Sequence, residues 1–98
     1  MDRQERRHNN LVYKLSDRMG DRHLEFLEWK KGKRCGEVDM LTWDSRGRLT
    51  FYEVKLTDSR ERLKKARKQY YNFLRAHQQN PRDIPGYAYF GDGKMVEL

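Results

Sequence analysis

Residues 49–57 read LTFYEVKLT. A run rich in aromatic and β-branched residues, bounded by Gly, Asp and Ser on either side, has the pattern of a β-strand. Side chains on a strand point to alternate faces, so Leu49, Phe51, Glu53, Lys55 and Thr57 form one row. That row is apolar at its start and carries a carboxylate and an ammonium towards its end. The preceding segment, GEVDMLTWD at 36–44, has the same character, and its row of Cys35, Glu37, Asp39, Leu41 and Trp43 is expected on one face. Between the two segments, DSRGR at 44–48 supplies the Asp, Ser and Gly of a hairpin turn. Positions 39 and 53 are symmetric about residue 46. Asp39, Glu53 and Lys55 should therefore cluster at one end of the sheet.

Two half-buried carboxylates at such range repel, and burial makes each ion costlier. A divalent cation relieves both penalties, and hard oxygen ligands suit Mg²⁺, which takes one or two carboxylates, substrate phosphate and waters. A metal lowers the pKa of water for attack on phosphorus, and a nearby lysine can orient that water or offset charge in the transition state. The cluster has the parts needed for metal-assisted phosphodiester hydrolysis.

An Asp on one strand, Glu-X-Lys on the next and a basic helix after it resemble the PD-(D/E)xK nuclease superfamily. GEVDML followed by FYEVK is similar to the branch holding Holliday junction resolvases, RecB-like nuclease domains and mismatch-specific endonucleases. The resemblance spans residues 3–90. It implies a restriction-endonuclease-like α/β fold, a central mixed β-sheet flanked by helices. It also implies Asp39 and Glu53 as metal ligands with Val54 between them, Lys55 as the catalytic lysine, and Mg²⁺ as cofactor with Mn²⁺ able to substitute. Val38 stands where the family name has a proline, as is common in this branch. Glu37 shares the expected active face and is an additional acid there. Such nucleases usually carry an acid on the first helix, for which Glu5 is the candidate and Asn9 the runner-up. RecB-like domains carry a Gln on the second helix, which places Gln69 in the site.

Around these strands, the whole chain of 98 residues reads as one domain in the order α-β-β-β-α-β-β. Residues 2–20 have the pattern of a helix, with Asp2 and Glu5 at capping-box spacing, a face of Leu11, Leu15 and Met19, and Gly20 as its stop. His8 falls on that apolar face and is expected to be a packed core residue. HLEFLEWKKGK, 23–33, is a strand of imperfect alternation running into a basic turn. Residues 58–79 form a second helix, with Asp58 and Glu61 at capping-box spacing, and NPRDIP ends it. GYAYF and KMVEL make a closing hairpin around GDG.

Composition points to the partner. The chain has 22 Lys and Arg against 15 Asp and Glu, a net charge of +7, which favours a polyanion through phosphate neutralisation and counterion release. RERLKKARK at 60–68 presents Arg60, Arg62, Lys64, Lys65 and Arg67 beside the proposed scissile phosphate, and KKGKR at 30–34 adds Lys33 and Arg34. No module for reading base edges is evident, so structure-selective or nonspecific cleavage of DNA is expected, with RNA also open. A homodimer is expected, since resolvase-like relatives make two cuts. The alternative is a non-catalytic nucleic-acid-binding module or a subunit of a larger nuclease. Cys35 is the single cysteine, no apolar stretch approaches the ~20 residues of a membrane span, and the N-terminus is polar. These features point to the cytoplasm, with a nucleoid-associated or viral protein as the kind of chain expected.

Overall fold

The computed structural model describes residues 2–20 and 22–98. Helix α1 spans Arg3–Met19. The Asp2 carboxylate accepts the Glu5 N–H at 2.7 Å, and Gly20 closes the helix at φ 69°. Strands β1 (His23–Lys31), β2 (Arg34–Trp43) and β3 (Leu49–Lys55) form an antiparallel meander. Helix α2 (Arg60–Ala76) crosses over to β4 (Gly86–Phe90), which runs parallel to β3, and β5 (Met95–Glu97) pairs back on β4. The sheet order β1-β2-β3-β4-β5 is therefore mixed.

Strand alternation separates two cores. Tyr52 and Val54 pack with Leu11, Val12 and Leu15 of α1. Phe51, one step out of phase, packs with Tyr70, Phe73 and Leu74 of α2. The helices thus cover opposite faces. Tyr70 is fixed on the α2 side by donating its hydroxyl to the Ile84 carbonyl at 2.6 Å. Gly86 leaves room for that ring, because a Cβ there would lie 2.5 Å from Tyr70 Cε1.

The turn at 44–48 forms as its residues dictate. The Asp44 carboxylate accepts the N–H groups of Arg46 and Arg48, and Gly47 adopts φ 79°. The cap of α2 differs from the expected Asp58–Glu61 box. Ser59 is the N-cap, its hydroxyl accepting the Arg62 N–H at 3.2 Å. Asp58 instead accepts Lys94 Nζ at 3.0 Å, since both residues have the short oxygen a cap needs and Ser59 stands one residue nearer the first turn. The helix also ends at Ala76 rather than at 79. Gln78 turns left-handed at φ 54°, and the Gln79 N–H closes on the Leu74 carbonyl at 2.9 Å.

The face of β2 departs from strict alternation as well. Val38 and Leu41, three residues apart, both join the α2-side core, whereas Met40 joins the α1 side. The row expected from Cys35 to Trp43 is therefore broken between Asp39 and Met40. The reason lies across the ladder. The β1–β2 pairing skips the rung between Glu25↔Met40 and Leu27↔Val38, and Phe26, which stands there on β1, adopts φ 50°, a backbone conformation costly for a bulky side chain. Both strands reverse faces at this point, which explains the imperfect alternation of β1. No helix among the described residues is long and apolar enough to cross a membrane.

Candidate active site

The β2–β3 ladder runs from Trp43↔Leu49 to Met40↔Tyr52, and one more step would set Asp39 across from Glu53, as the symmetry about residue 46 requires. The strands part there. In place of a backbone bond, the Asp39 carboxylate accepts the Val54 N–H at 2.8 Å. Asp39 is 6% exposed and Glu53 2%, so both carboxylates lie out of water at the end of the sheet. Burial first, and the Asp39 charge second, push the Glu53 carboxyl well above the usual carboxylate range. Among the described residues Glu53 Oε1 is buried without a hydrogen-bond partner, while Oε2 lies 3.8 Å from Lys55 Nζ.

Lys55 follows Glu53 on the same face. Its ammonium donates to Gln69 Oε1 on α2 at 3.3 Å, so the expected glutamine reaches the expected lysine. Val54, on the opposite face, contributes its backbone, with its N–H held by Asp39 and its carbonyl accepting His8 Nε2 at 2.9 Å.

That histidine is a correction to the sequence reading. His8 is not a packed core residue. Its side chain is 28% exposed, and Nε2 lies 3.3 Å from Asp39 Oδ2. The hydrogen bond to Asp39 raises the imidazole above its ordinary value of 6.5, against the cost of burial. Asn9 takes part beside it, its Oδ1 lying 3.4 Å from His8 Nδ1. Glu5 is exposed and lines a shallow cleft with Gln4, His8, Lys55 and Arg62, and its backbone N–H is committed to the Asp2 cap. The first-helix residue that meets Asp39 is therefore His8. Its place one turn before the buried pair Leu11 and Val12 was the available signal, because the apolar stripe of α1 points at β3.

Glu37 is exposed on the α1 side. Its carboxyl is raised by burial first, then by the charges of Asp39 and of Glu28 across the ladder, which places it in the same electrostatic neighbourhood. The basic residues Lys33, Arg34, Arg60, Arg62, Lys64, Lys65 and Arg67 are all exposed, and Arg62 is the member that lines the cleft. Among the described residues no group of three or more His, Cys, Asp and Glu is arranged to hold a metal ion unaided. The oxygen donors brought together are the Asp39 and Glu53 carboxylates and the Val54 carbonyl. That set fits a hard cation which fills its remaining positions with water and substrate phosphate. The partnerless Oε1 of Glu53 is the feature that calls for such a charge.

No family model and no curated protein matches the sequence. Among solved structures, a repair endonuclease from Pyrococcus abyssi is similar to the chain, with a TM-score of 0.51 and 16% identity. The match covers 92% of this chain and 38% of that one, so the chain spans well under half the length of its structural relative. The likeness is one of fold. It agrees with the α/β architecture expected from the sequence, a restriction-endonuclease-like mixed sheet flanked by helices.

Proposed function

We propose that the chain is a Mg²⁺-dependent nuclease of the PD-(D/E)xK type that hydrolyses DNA phosphodiester bonds. The observation that carries this reading is the buried pair of Asp39 and Glu53 at the open end of the sheet, with Glu53 Oε1 partnerless and Lys55 two residues on. Two carboxylates are unfavourable there as a bare structural feature, and a bound cation relieves them.

Asp39, Glu53 and the Val54 carbonyl would hold the ion, with Mn²⁺ able to replace Mg²⁺. When bound, such an ion would supply positive charge at the scissile phosphate and lower the pKa of the attacking water. Lys55 lies between Glu53 and Gln69, where its ammonium orients that water and offsets charge as the P–O bond breaks. The proton lost by the water passes to solvent, and solvent returns a proton to the leaving oxygen. His8 fixes the Val54 carbonyl and Asp39, and Asn9 sets the imidazole orientation. Gln69 holds the lysine.

The exposed cations of α2 favour phosphate contact over base reading, so the substrate is branched or duplex DNA taken by shape. A role in DNA repair accords with the likeness to a repair endonuclease; the homodimer making two cuts and the cytoplasmic setting are part of the same proposal and rest on the sequence resemblance alone. The test is a panel of junction, flap, duplex and single-stranded DNA, with an RNA arm, incubated with Mg²⁺, Mn²⁺ or EDTA. Metal-dependent cleavage that disappears in Asp39→Ala is expected. Cleavage unchanged in that variant, or absent from every substrate with wild-type protein, overturns the reading.

A further inference from the structure

The distal half of the β1–β2 hairpin has an unusual position. β3 pairs with β2 only over Met40–Trp43, so Arg34–Val38 has β1 on one side and, among the described residues, no strand on the other. Five rungs, from Leu27↔Val38 to Lys31↔Arg34, thus project as a two-stranded arm that begins next to Asp39. A tight turn closes it, with Gly32 at φ 60°.

The arm is braced rather than loose. Trp29 lies edge-on to Phe73 and His77 of α2, at 5.8 and 5.1 Å between ring centroids. Its indole covers Gly36 across the ladder, where a Cβ would come within 3.0 Å of the ring. The arm therefore has a fixed direction relative to the helix that carries the basic run.

Its charge is divided along its length. Lys30, Lys31, Lys33 and Arg34 crowd the tip, all exposed, and no ion pair binds any of them among the described residues. Glu28 and Glu37 face each other at the root. The unpaired edge carries the charges of Arg34 and Glu37, which disfavour strand addition by a second copy. A polyanion is instead attracted to the tip and repelled from the acidic side of the root. A two-stranded ribbon also has the width of the DNA major groove.

We propose that this arm grips duplex nucleic acid, its tip holding backbone phosphates away from the bond placed at Asp39 and Glu53. The inference rests on the nuclease reading and specifies its substrate as one with a duplex flank. Asp39 lies five residue steps from Arg34, and an extended strand covers at most roughly 17 Å over that length. At about 3.4 Å per phosphate along one strand, the tip reaches phosphates about five base pairs from the scissile one.

The experiment is fluorescence anisotropy with labelled duplexes of about 8 to 24 base pairs in EDTA, over a salt series. It compares wild type, the tip variant Lys30→Gln/Lys31→Gln/Lys33→Gln/Arg34→Gln and a control, Arg46→Gln/Arg82→Gln, with melting curves to verify the fold. The tip variant should lower the slope of log affinity against log salt by about 2 to 4 units, and the control should leave it near wild type. It should also lose the gain in affinity that wild type shows as the duplex lengthens past the reach of the arm. An unchanged slope, an equal loss in the control, or no retention of duplex by wild type overturns the proposal. Cleavage is measured separately. Its absence would remove the nuclease reading and leave the binding result to stand or fall by itself.

Discussion

The Asp39 carboxylate takes the Val54 N–H that the β2–β3 ladder leaves open, so one side chain both ends the strand pairing and enters the acidic cluster. A buried backbone donor without a partner costs about 1–3 kcal/mol. Asp39→Ala should therefore destabilise the metal-free protein by about that amount. Asp39→Asn keeps an oxygen for Val54 and removes the charge that repels Glu53 but also pairs with His8, so it should be destabilised less than Asp39→Ala. Urea midpoints distinguish the two variants, while both should lose cleavage.

Glu53 gives a pH signature. Burial and the Asp39 charge raise its folded-state carboxyl well above the ordinary value of 4.5, so the fold favours the protonated form. The stability gained from that form is complete below the ordinary value and is lost as pH rises through the raised one. Glu53→Gln resembles the protonated carboxyl at every pH. In EDTA at neutral pH it should melt above wild type, by on the order of 1 kcal/mol or roughly 5 °C. The two melting curves should converge as pH falls to the ordinary carboxylate range, and added Mg²⁺ should raise the melting temperature of wild type alone.

Gly86 is a packing constraint remote from the carboxylates. A Cβ there would meet Cε1, Cδ1 and Cζ of Tyr70 at 2.5, 2.6 and 2.8 Å, and the ring is pinned by its bond to the Ile84 carbonyl. Gly86→Ala should cost about 1–3 kcal/mol through overpacking. Tyr70→Leu should cost less in that background than in wild type, a coupling that a double-mutant cycle of melting temperatures measures.

Much of the site is legible in the chain because the relations that make it are local. The turn at Asp44–Arg48 fixes which residues of β2 and β3 stand level, and a period of two puts Glu53 and Lys55 on one face. Helix periodicity sets Gln69 on the turn before Phe73, and the structure brings it to Lys55. The Asp2 cap and the Gly20 stop of α1 were equally local.

His8 was not legible in the same way. Its neighbours in sequence place it on an apolar stripe, yet its ring is bound by Val54 and Asp39, 46 and 31 residues away. Only the docking angle of α1 on the sheet decides whether such a residue enters the core or the site. The face reversal at Phe26 and Asp39 was hidden too, since a positive φ at a phenylalanine is imposed by surrounding packing and not by its own preference. The sequence by itself determined the strand segments, the β2–β3 register and the charges they carry. Tertiary structure alone decided how deeply Glu53 is buried, which first-helix residue meets Asp39, and how Trp29 braces the hairpin against α2. Those outcomes depend on contacts between distant segments, which no local period encodes.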